Sequence, residues 1–446
     1  MSARQIGADV SFSRLCTDTR TLKRGDLFLA LVGENFDGHQ FVSQAQQLGA
    51  AAAVVSKPQE TPLPQLLVED THRALAQIAR LNRRSSAARV IALTGSQGKT
   101  TVKELLGSIL SIVNRTLTTA ANLNNTIGVP LTLLQIGPAH GYAVIEMGAD
   151  RAGEIAFSVA AAEPDIVLIT NASAAHISGF GSLSGIVQAK GEIIDGLSEQ
   201  GKAILNADDA AVRTWVRRVA DRRFVLFSLE NPQGYARYFA RDIRPGTADG
   251  SGACMECTLV TPKGESPLRL PLLGRHNVLN AIAAAAAAME AGASLEQVVQ
   301  GLTRIQPIAG RLNPQPGIGG SLVIDDSYNA SPSSYRAAID VLASYPGKKF
   351  LVAGDMRELG QDSDAAHVAV GEYAAGKNLD GLLATGESCR LMVAAAGERA
   401  RHFGNKEELG EYCKTLAATN TVFLIKGSRG SAMEQVVTAL IEQGKG

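Results

Sequence analysis

Short apolar runs alternate with stretches of helical period along almost the whole chain, the pattern of strands threaded between helices. In the first part, residues 26–33 read as one buried strand ended by Gly33, residues 41–49 as a helix, and residues 51–55 as the next strand. The proline-rich stretch 56–64 is a turn and not a domain boundary, because another strand, 65–68, follows it. A helix over 71–84, closed by Arg83-Arg84-Ser85-Ser86, makes the better boundary. From Arg89 the units lengthen: a strand at 90–94, a glycine-rich loop, a helix over 101–112, then buried strands at 142–146, 166–170 and 202–206. Strands recurring between helices predict a mainly parallel sheet covered on both faces. The alanine-rich helix 277–291 and a helix over 295–302 close this part, and Pro307-Ile308-Ala309-Gly310-Arg311 is a candidate hinge. Beyond it, strands at 322–326, 349–353 and 422–425 alternate with helices in a second doubly wound pattern.

The loop Gly95-Ser96-Gln97-Gly98-Lys99-Thr100-Thr101 follows a strand and opens a helix, the context that makes a phosphate-binding P-loop. Glycines let backbone N–H groups curl around phosphate oxygens, and the free N–H groups of the helix start add positive potential. Lys99 is placed for the outer phosphates and Thr100 for Mg²⁺; Thr94 stands where the general pattern has its first glycine. The expected fold is therefore α/β with three domains. These are a small N-terminal α/β domain (1–82), a central P-loop mononucleotide-binding α/β domain (83–309) and a C-terminal Rossmann-like α/β domain (310–446).

Composition narrows the function classes. Lys+Arg 43 balance Asp+Glu 43, so the global basic field that nucleic acid attracts is absent. The five cysteines are an odd number spread over a long chain. Only Cys254 and Cys257 have CxxC spacing; without a second pair or nearby histidine they read as free thiols in a strand region, with metal or redox use the alternative. The N-terminal MSARQIGADVSF has no apolar signal core, and the most apolar stretch, 281–289, is far short of the ~20 residues a membrane span needs. A cytoplasmic protein without a membrane span is expected.

A P-loop serves kinases, switches and ligases alike, so other polar clusters must decide. Glu146 ends a strand, where carboxylates of parallel sheets face the ligand crevice; it either holds Mg²⁺ or caps the next helix. His176, in a loop past another strand, is either a second metal ligand or an ordinary solvated or core histidine. Lys190 lies on a helix and by itself reads as an exposed lysine. Asp325 and Asp326 end an apolar strand, and one of them is placed to accept from ribose hydroxyls. Arg311 can approach phosphate from the hinge, while Lys426 and Arg429 offer cations after the last strand, for an anionic substrate or for solvent.

Together these segments resemble the Mur ligase family, the ATP-dependent amide-forming enzymes of peptidoglycan precursor assembly. The resemblance rests on Thr94 through Thr101, Asn122-Leu123-Asn124-Asn125 with Gly128-Val129-Pro130, Glu146-Met147-Gly148-Ala149, His176 and Ala189-Lys190-Gly191-Glu192-Ile193. It continues through Gly274-Arg275-His276-Asn277 with Asn280, Gly310-Arg311, Asp325 through Ala330, Gly354 through Gly360 and Lys426-Gly427-Ser428-Arg429, in order over essentially the whole chain. Within the family the pattern is most similar to the branch that joins D-alanyl-D-alanine to UDP-N-acetylmuramoyl-tripeptide. The N-terminal Thr17-Asp18-Thr19-Arg20 is shared with the preceding ligase, but the Asp-Asn-Pro-Arg motif of its diaminopimelate-adding form is absent.

The resemblance implies that the loop residues 95–101 (Gly95, Ser96, Gln97, Gly98, Lys99, Thr100, Thr101) with Asn280, Arg311 and Asp326 bind ATP. Thr100, Glu146, His176 and Lys190 would hold Mg²⁺, two ions, with Lys190 carbamylated and Lys99, Lys190 and His176 catalytic. Substrate contacts fall to Thr19, Arg20, Asn122, Asn124, Asn125, Tyr328, Asn329, Lys426 and Arg429. Partners are the two small-molecule substrates, with no nucleic acid, and the chain is expected to be a monomer. Rival expectations are another amino-acid-adding Mur or folylpolyglutamate-type ligase, the latter lacking the Asp18-Thr19-Arg20 unit, and a P-loop switch ATPase.

Overall fold

The computed structural model describes residues 3–33, 35–173, 177–248 and 252–441. Its strands fall into a five-stranded N-terminal sheet, a six-stranded central sheet with a three-stranded annex, and a six-stranded C-terminal sheet, besides one small hairpin.

The N-terminal sheet runs Arg4–Ile6, Gln65–Leu67, Ala52–Val55, Leu27–Leu29, Leu15–Cys16, parallel except at its first pair. Residues 26–33 do not form one strand, correcting the sequence expectation. Pairing with Ala52–Val55 ends at Leu29, and the chain turns into the hairpin Val32–Gly33 with Phe36–Asp37. Gly38 closes this turn: its N–H donates to Leu31 O at 2.7 Å, and a side chain there would lie 2.7 Å from the same oxygen. An unbroken apolar run does not show where pairing stops, since Leu27–Leu29 are buried while Val32 is 51% exposed. The following helix, Thr71–Ser85, is N-capped by Asp70 through His72 N and Arg73 N and rests on the central domain, its Arg80 and Arg84 both bound to Glu163.

The central sheet is all parallel in the order Arg223–Phe227, Lys202–Asn206, Ile166–Ile169, Arg89–Thr94, Tyr142–Glu146, Thr116–Thr118. The phosphate-loop strand is thus interior, at the point where the strand order reverses, where open α/β sheets leave a crevice at their carboxyl ends. One face packs on the helices Lys99–Val113, Arg275–Glu290 and Leu295–Arg304, the other on Glu154–Ala162 and the Trp215 helix Val212–Val219. The annex Phe239–Ala248, Gly252–Thr261, Gly264–Leu270 is antiparallel; Cys254 and Cys257 lie buried in its middle strand as free thiols.

The C-terminal sheet runs Asn313–Pro316, Leu322–Asp326, Thr421–Lys426, Lys348–Ala353, Gly381–Thr385, Ala400–Phe403, parallel but for its first strand. Its helix Pro332–Ala343 starts with a Ser331–Ser334 capping box and a proline in the first turn. No helix among the described residues is long and apolar enough to cross a membrane.

Candidate functional site

The carboxyl ends of the central and C-terminal sheets face each other across a cleft of about 500 Å³. Its floor is the phosphate loop. Thr94, in place of the first glycine, donates through Oγ1 to Met147 O at 2.7 Å and ties the loop base to the neighbouring strand end. Gly95 (φ +152°) and Gly98 (φ +77°) could not be other residues: a Cβ would lie 1.9 Å from Thr170 Oγ1 at the first and 2.4 Å from Asn280 Oδ1 at the second. The helix Lys99–Val113 begins on Gly98 with no side-chain cap, leaving first-turn N–H groups for an anion. Lys99 Nζ folds back to Gly95 O (2.7 Å) and Ser96 O (3.3 Å). Burial lowers its proton affinity, Glu146 opposes that, and Arg311 adds to it.

One wall carries Glu146 and Lys190. Glu146 is 2% exposed; Oε1 accepts from Asn124 Nδ2 (2.8 Å) and lies 3.4 Å from Thr100 Oγ1, while Oε2 is buried without a partner. A buried carboxylate oxygen left without a donor costs about 1–3 kcal/mol or more, so this one is shaped for a ligand. Lys190, at the end of the helix Leu183–Gly191, is 3% exposed, which overturns its reading as a solvated helical lysine. Its ammonium sits 5.3 Å from the Phe180 ring centre; burial first, and Lys99 second, bring its pKa down to about 7, against the pull of Asp150. His176 lies outside the described residues.

The opposite wall comes from the C-terminal domain. Of the paired acids, Asp325 is structural: it accepts from Gly310 N (3.0 Å), Ser327 N (3.1 Å) and Ser327 Oγ (2.6 Å). Asp326 lines the cleft and accepts from Lys426 Nζ at 2.6 Å. Lys426 is 2% exposed and also donates to Asn329 O, so its charge is matched within the domain. Arg311 reaches across to the phosphate loop, donating to Thr100 Oγ1 at 3.1 Å, and stacks on Tyr328 (4.4 Å to the ring centre), whose ring Arg429 also approaches at 5.2 Å. Gln97 Nε2 bonds Ser331 Oγ at 2.9 Å and Ser333 Oγ, joining the two domains directly. The Tyr335 hydroxyl, 2.7 Å from Gly354 O and 2.8 Å from Lys426 O, holds two strand ends of this wall together.

The cleft therefore gathers Gly95 through Thr101, Asn124, Asn125, Glu146, Lys190, Asn280, Arg311, Asp326, Tyr328, Asn329 and Lys426. Thr19, Arg20, Asn122 and Arg429 do not line it. Thr19 Oγ1 bonds Gln44, and Arg20 pairs with Asp18 with its side chain 87% exposed. Asn125 Oδ1 accepts from the N–H of Gly128, the first residue of the helix Gly128–Leu133, at 2.8 Å. Sequence reasoning passed over Asp150, four residues after Glu146, and gave no role to His276, which lines the cleft near Asp326 with its proton affinity lowered by burial. The pairing of Asn280 Nδ2 with Asn277 Oδ1 (3.0 Å), one helical turn apart, was readable from spacing. Asp355, His367 and Cys389 also converge, within 4.8 Å, but both His367 nitrogens are occupied, by Met356 N–H (3.0 Å) and Ser363 O (2.7 Å). That cluster is a fastening for the loop after Ala353.

The fold and cleft define a P-loop α/β protein whose nucleotide-facing site is shared between two domains. Family models place it further. The Mur ligase middle domain matches residues 93–288, the glutamate ligase domain of Mur ligases residues 310–429, and the Mur ligase family catalytic domain residues 11–83. The UDP-N-acetylmuramoyl-tripeptide–D-alanyl-D-alanine ligase of Escherichia coli (strain K12) is 46% identical over 440 residues, covering 98% of this chain and 96% of that protein. A crystal structure of MurF from Acinetobacter baumannii superposes with a TM-score of 0.90 at 39% identity, over 96% of this chain and 93% of that one. MurF from Thermotoga maritima in complex with ADP gives 0.85 at 27% identity, over 96% of each chain. The chain belongs to the Mur ligase family.

Proposed function

We propose that this chain is the ATP-dependent ligase that joins D-alanyl-D-alanine to UDP-N-acetylmuramoyl-tripeptide in peptidoglycan precursor synthesis. The observation that carries the reading is the full-length likeness to the E. coli ligase of that name, at 46% identity, with the N-terminal unit that a folate ligase is expected to lack included in the match. The shared cleft supports a ligase over a switch ATPase, because Arg311 and Ser331 of the C-terminal domain complete a site begun by the phosphate loop.

In this reading residues 1–82 bind the UDP-sugar peptide, 83–309 bind ATP, and 310–446 receive the dipeptide. Thr19, Arg20 and Asn122 belong to the first task; Asn280, Arg311 and Asp326 to nucleotide; Tyr328 and Asn329 to the incoming substrate. The tripeptide carboxylate attacks the γ-phosphorus of ATP, ADP leaves, and an acyl phosphate forms. The amine of D-alanyl-D-alanine attacks the acyl carbon, loses a proton, and inorganic phosphate leaves as the amide forms. Two unit charges 4 Å apart repel by about 4 kcal/mol at an effective dielectric of 20, so bringing a carboxylate to a triphosphate needs cations held in place. Lys99 and Arg311 flank that position. Thr100, Glu146 and Lys190, with His176 by resemblance, would hold Mg²⁺, and the unpartnered Glu146 Oε2 fits that use. When bound, the metal screens the phosphates and the attacking carboxylate. Lys190 suits carbamylation: with a pKa near 7 about half of its amine is unprotonated at neutral pH and can add to CO₂, releasing a proton and becoming an anion. Walls from two domains exclude water that would hydrolyse the acyl phosphate. The protein acts as a cytoplasmic monomer.

The test is ADP release with each substrate omitted in turn, together with ¹⁸O in the tripeptide carboxylate. Release that requires both substrates and transfers one ¹⁸O to each inorganic phosphate is expected. Release that ignores the dipeptide rejects the reading.

A further inference from the structure

The two oxygens of the Glu146 carboxylate are treated unequally. Oε1 takes the hydrogen bond from Asn124 Nδ2 at 2.8 Å, with Thr100 Oγ1 at 3.4 Å, whereas the buried Oε2 has no protein partner. The terminal torsion of a glutamate is broad and intrinsically two-fold, so nothing in the side chain itself chooses which oxygen faces the cleft. We infer that Asn124 makes that choice, as a positioning residue that pins Oε1 so that Oε2 is presented to the cation; this rests on the reading of Glu146 as a metal holder.

Asn124 is itself fixed. Its N–H donates to Asn122 O and its carbonyl accepts from Gly148 N, both at 2.8 Å. A side chain at Gly148 would approach Asn124 Oδ1 to 3.1 Å, so the amide fills the space the glycine leaves. The same strap holds the Glu146 backbone, whose N–H donates to Thr119 Oγ1 at 2.9 Å, and Lys103 Nζ anchors the strap through Thr119 O at 2.8 Å. A neutral amide is the fitting donor: it orients the carboxylate without cancelling its charge, as an arginine or lysine would. Outer partners of this kind typically carry ten- to a hundred-fold in metal affinity.

Asn124→Leu keeps the length and branching of the side chain and removes the donor. ADP binding is measured by calorimetry in Mg²⁺ and in EDTA, and Mn²⁺ binding to the ADP complex by electron paramagnetic resonance. The expected result is Mn²⁺ affinity weakened about ten- to a hundred-fold, with ADP affinity in EDTA within about twofold of the parent. A parent protein whose ADP affinity ignores Mg²⁺ removes the reading of Glu146, and the assignment with it. A parent that responds to Mg²⁺ beside a variant that responds equally overturns the assignment alone. Equal loss of metal-free and metal-supported binding, in Asn124→Leu and in the smaller Asn124→Ser, also overturns it, because the residue then serves the fold and not the carboxylate.

Discussion

Lys190 should destabilise the protein it serves. Burial and Lys99 bring its pKa from 10.5 down to about 7, which at about 1.4 kcal/mol per tenfold in proton affinity corresponds to roughly 5 kcal/mol. The sign follows from proton counting. Between pH 7 and 10.5 the unfolded chain holds a proton on this amine that the folded chain has released, so stability rises with pH across that window. The penalty is complete below pH 7 and gone above 10.5. Lys190→Met puts an apolar chain of similar length in the same pocket. In CO₂-free buffer it should raise unfolding free energy by about 3 kcal/mol at pH 7, somewhat less than the full penalty because the interior relaxes around a buried charge. The gain over the parent should shrink to near zero by pH 10.5. Trp215, the chain's single tryptophan, is a suitable reporter, since its Nε1 donates to Val187 O in the helix that carries Lys190. Urea titrations followed by its fluorescence, at several pH values, give the difference directly. Added bicarbonate should stabilise the parent and leave Lys190→Met unmoved, because a ligand that modifies only the folded amine shifts the equilibrium by mass action. A parent-to-variant difference constant from pH 6 to 10.5 would refute the reasoning.

Three further outcomes are expected. Lys99→Ala should abolish phosphate release while the protein stays folded; near-normal turnover, with an unchanged melting curve, would sink the phosphoryl-transfer role. Gln97→Ala removes the bonds to Ser331 and Ser333 across the cleft, each worth about 1 kcal/mol net, so kcat/KM should fall roughly thirty-fold in steady-state assays while ADP affinity barely changes. Glu163, held at a pKa of about 2 first by Arg84, with Arg80 adding, contributes stability present above pH 4.5 and lost as pH falls towards 2. Glu163→Gln should therefore lower the denaturation midpoint at pH 7 by the equivalent of about 1–2 kcal/mol, allowing for solvent screening, and the deficit should close in acid titrations.

The parts of this molecule visible in its sequence are those set by local rules. The phosphate loop was legible because strand, glycines and helix start are contiguous, and the strand ends at Glu146 and Asp326 because apolar runs stop there on an acid. What sequence could not show depends on what folds over a residue. Lys190 looks like any helical lysine until the fold buries it beside Phe180. Lys426 looks like a free cation until Asp326, a hundred positions away, takes its charge. Of the antiparallel annex only a strand region around Cys254 and Cys257 was legible, because its outer face carries alternating charges, Arg241 with Glu265 and Arg244 and Arg269 with Glu256, which blur the strand pattern.

The division of labour within Asn122-Leu123-Asn124-Asn125 follows the same logic and bears on how the site works. Three asparagines of one motif meet three different environments: Asn122 is exposed, Asn125 accepts from the Gly128 N–H, and only Asn124 reaches the carboxylate. The resemblance treats them alike and implies a substrate role for all three. The geometry adds a distinction between residues that would touch ligand and residues that would aim those that do. Thr100 shows why the aim matters. Its hydroxyl stands between Glu146 Oε1 and the Arg311 guanidinium, so a cation at Thr100 must share that oxygen with a donor from the other domain. A carboxylate free to rotate could meet Thr100 with either oxygen; one pinned by Asn124 would leave a single oxygen for the proposed cation, whose position would then be set by the central domain before the C-terminal domain contributes its arginine.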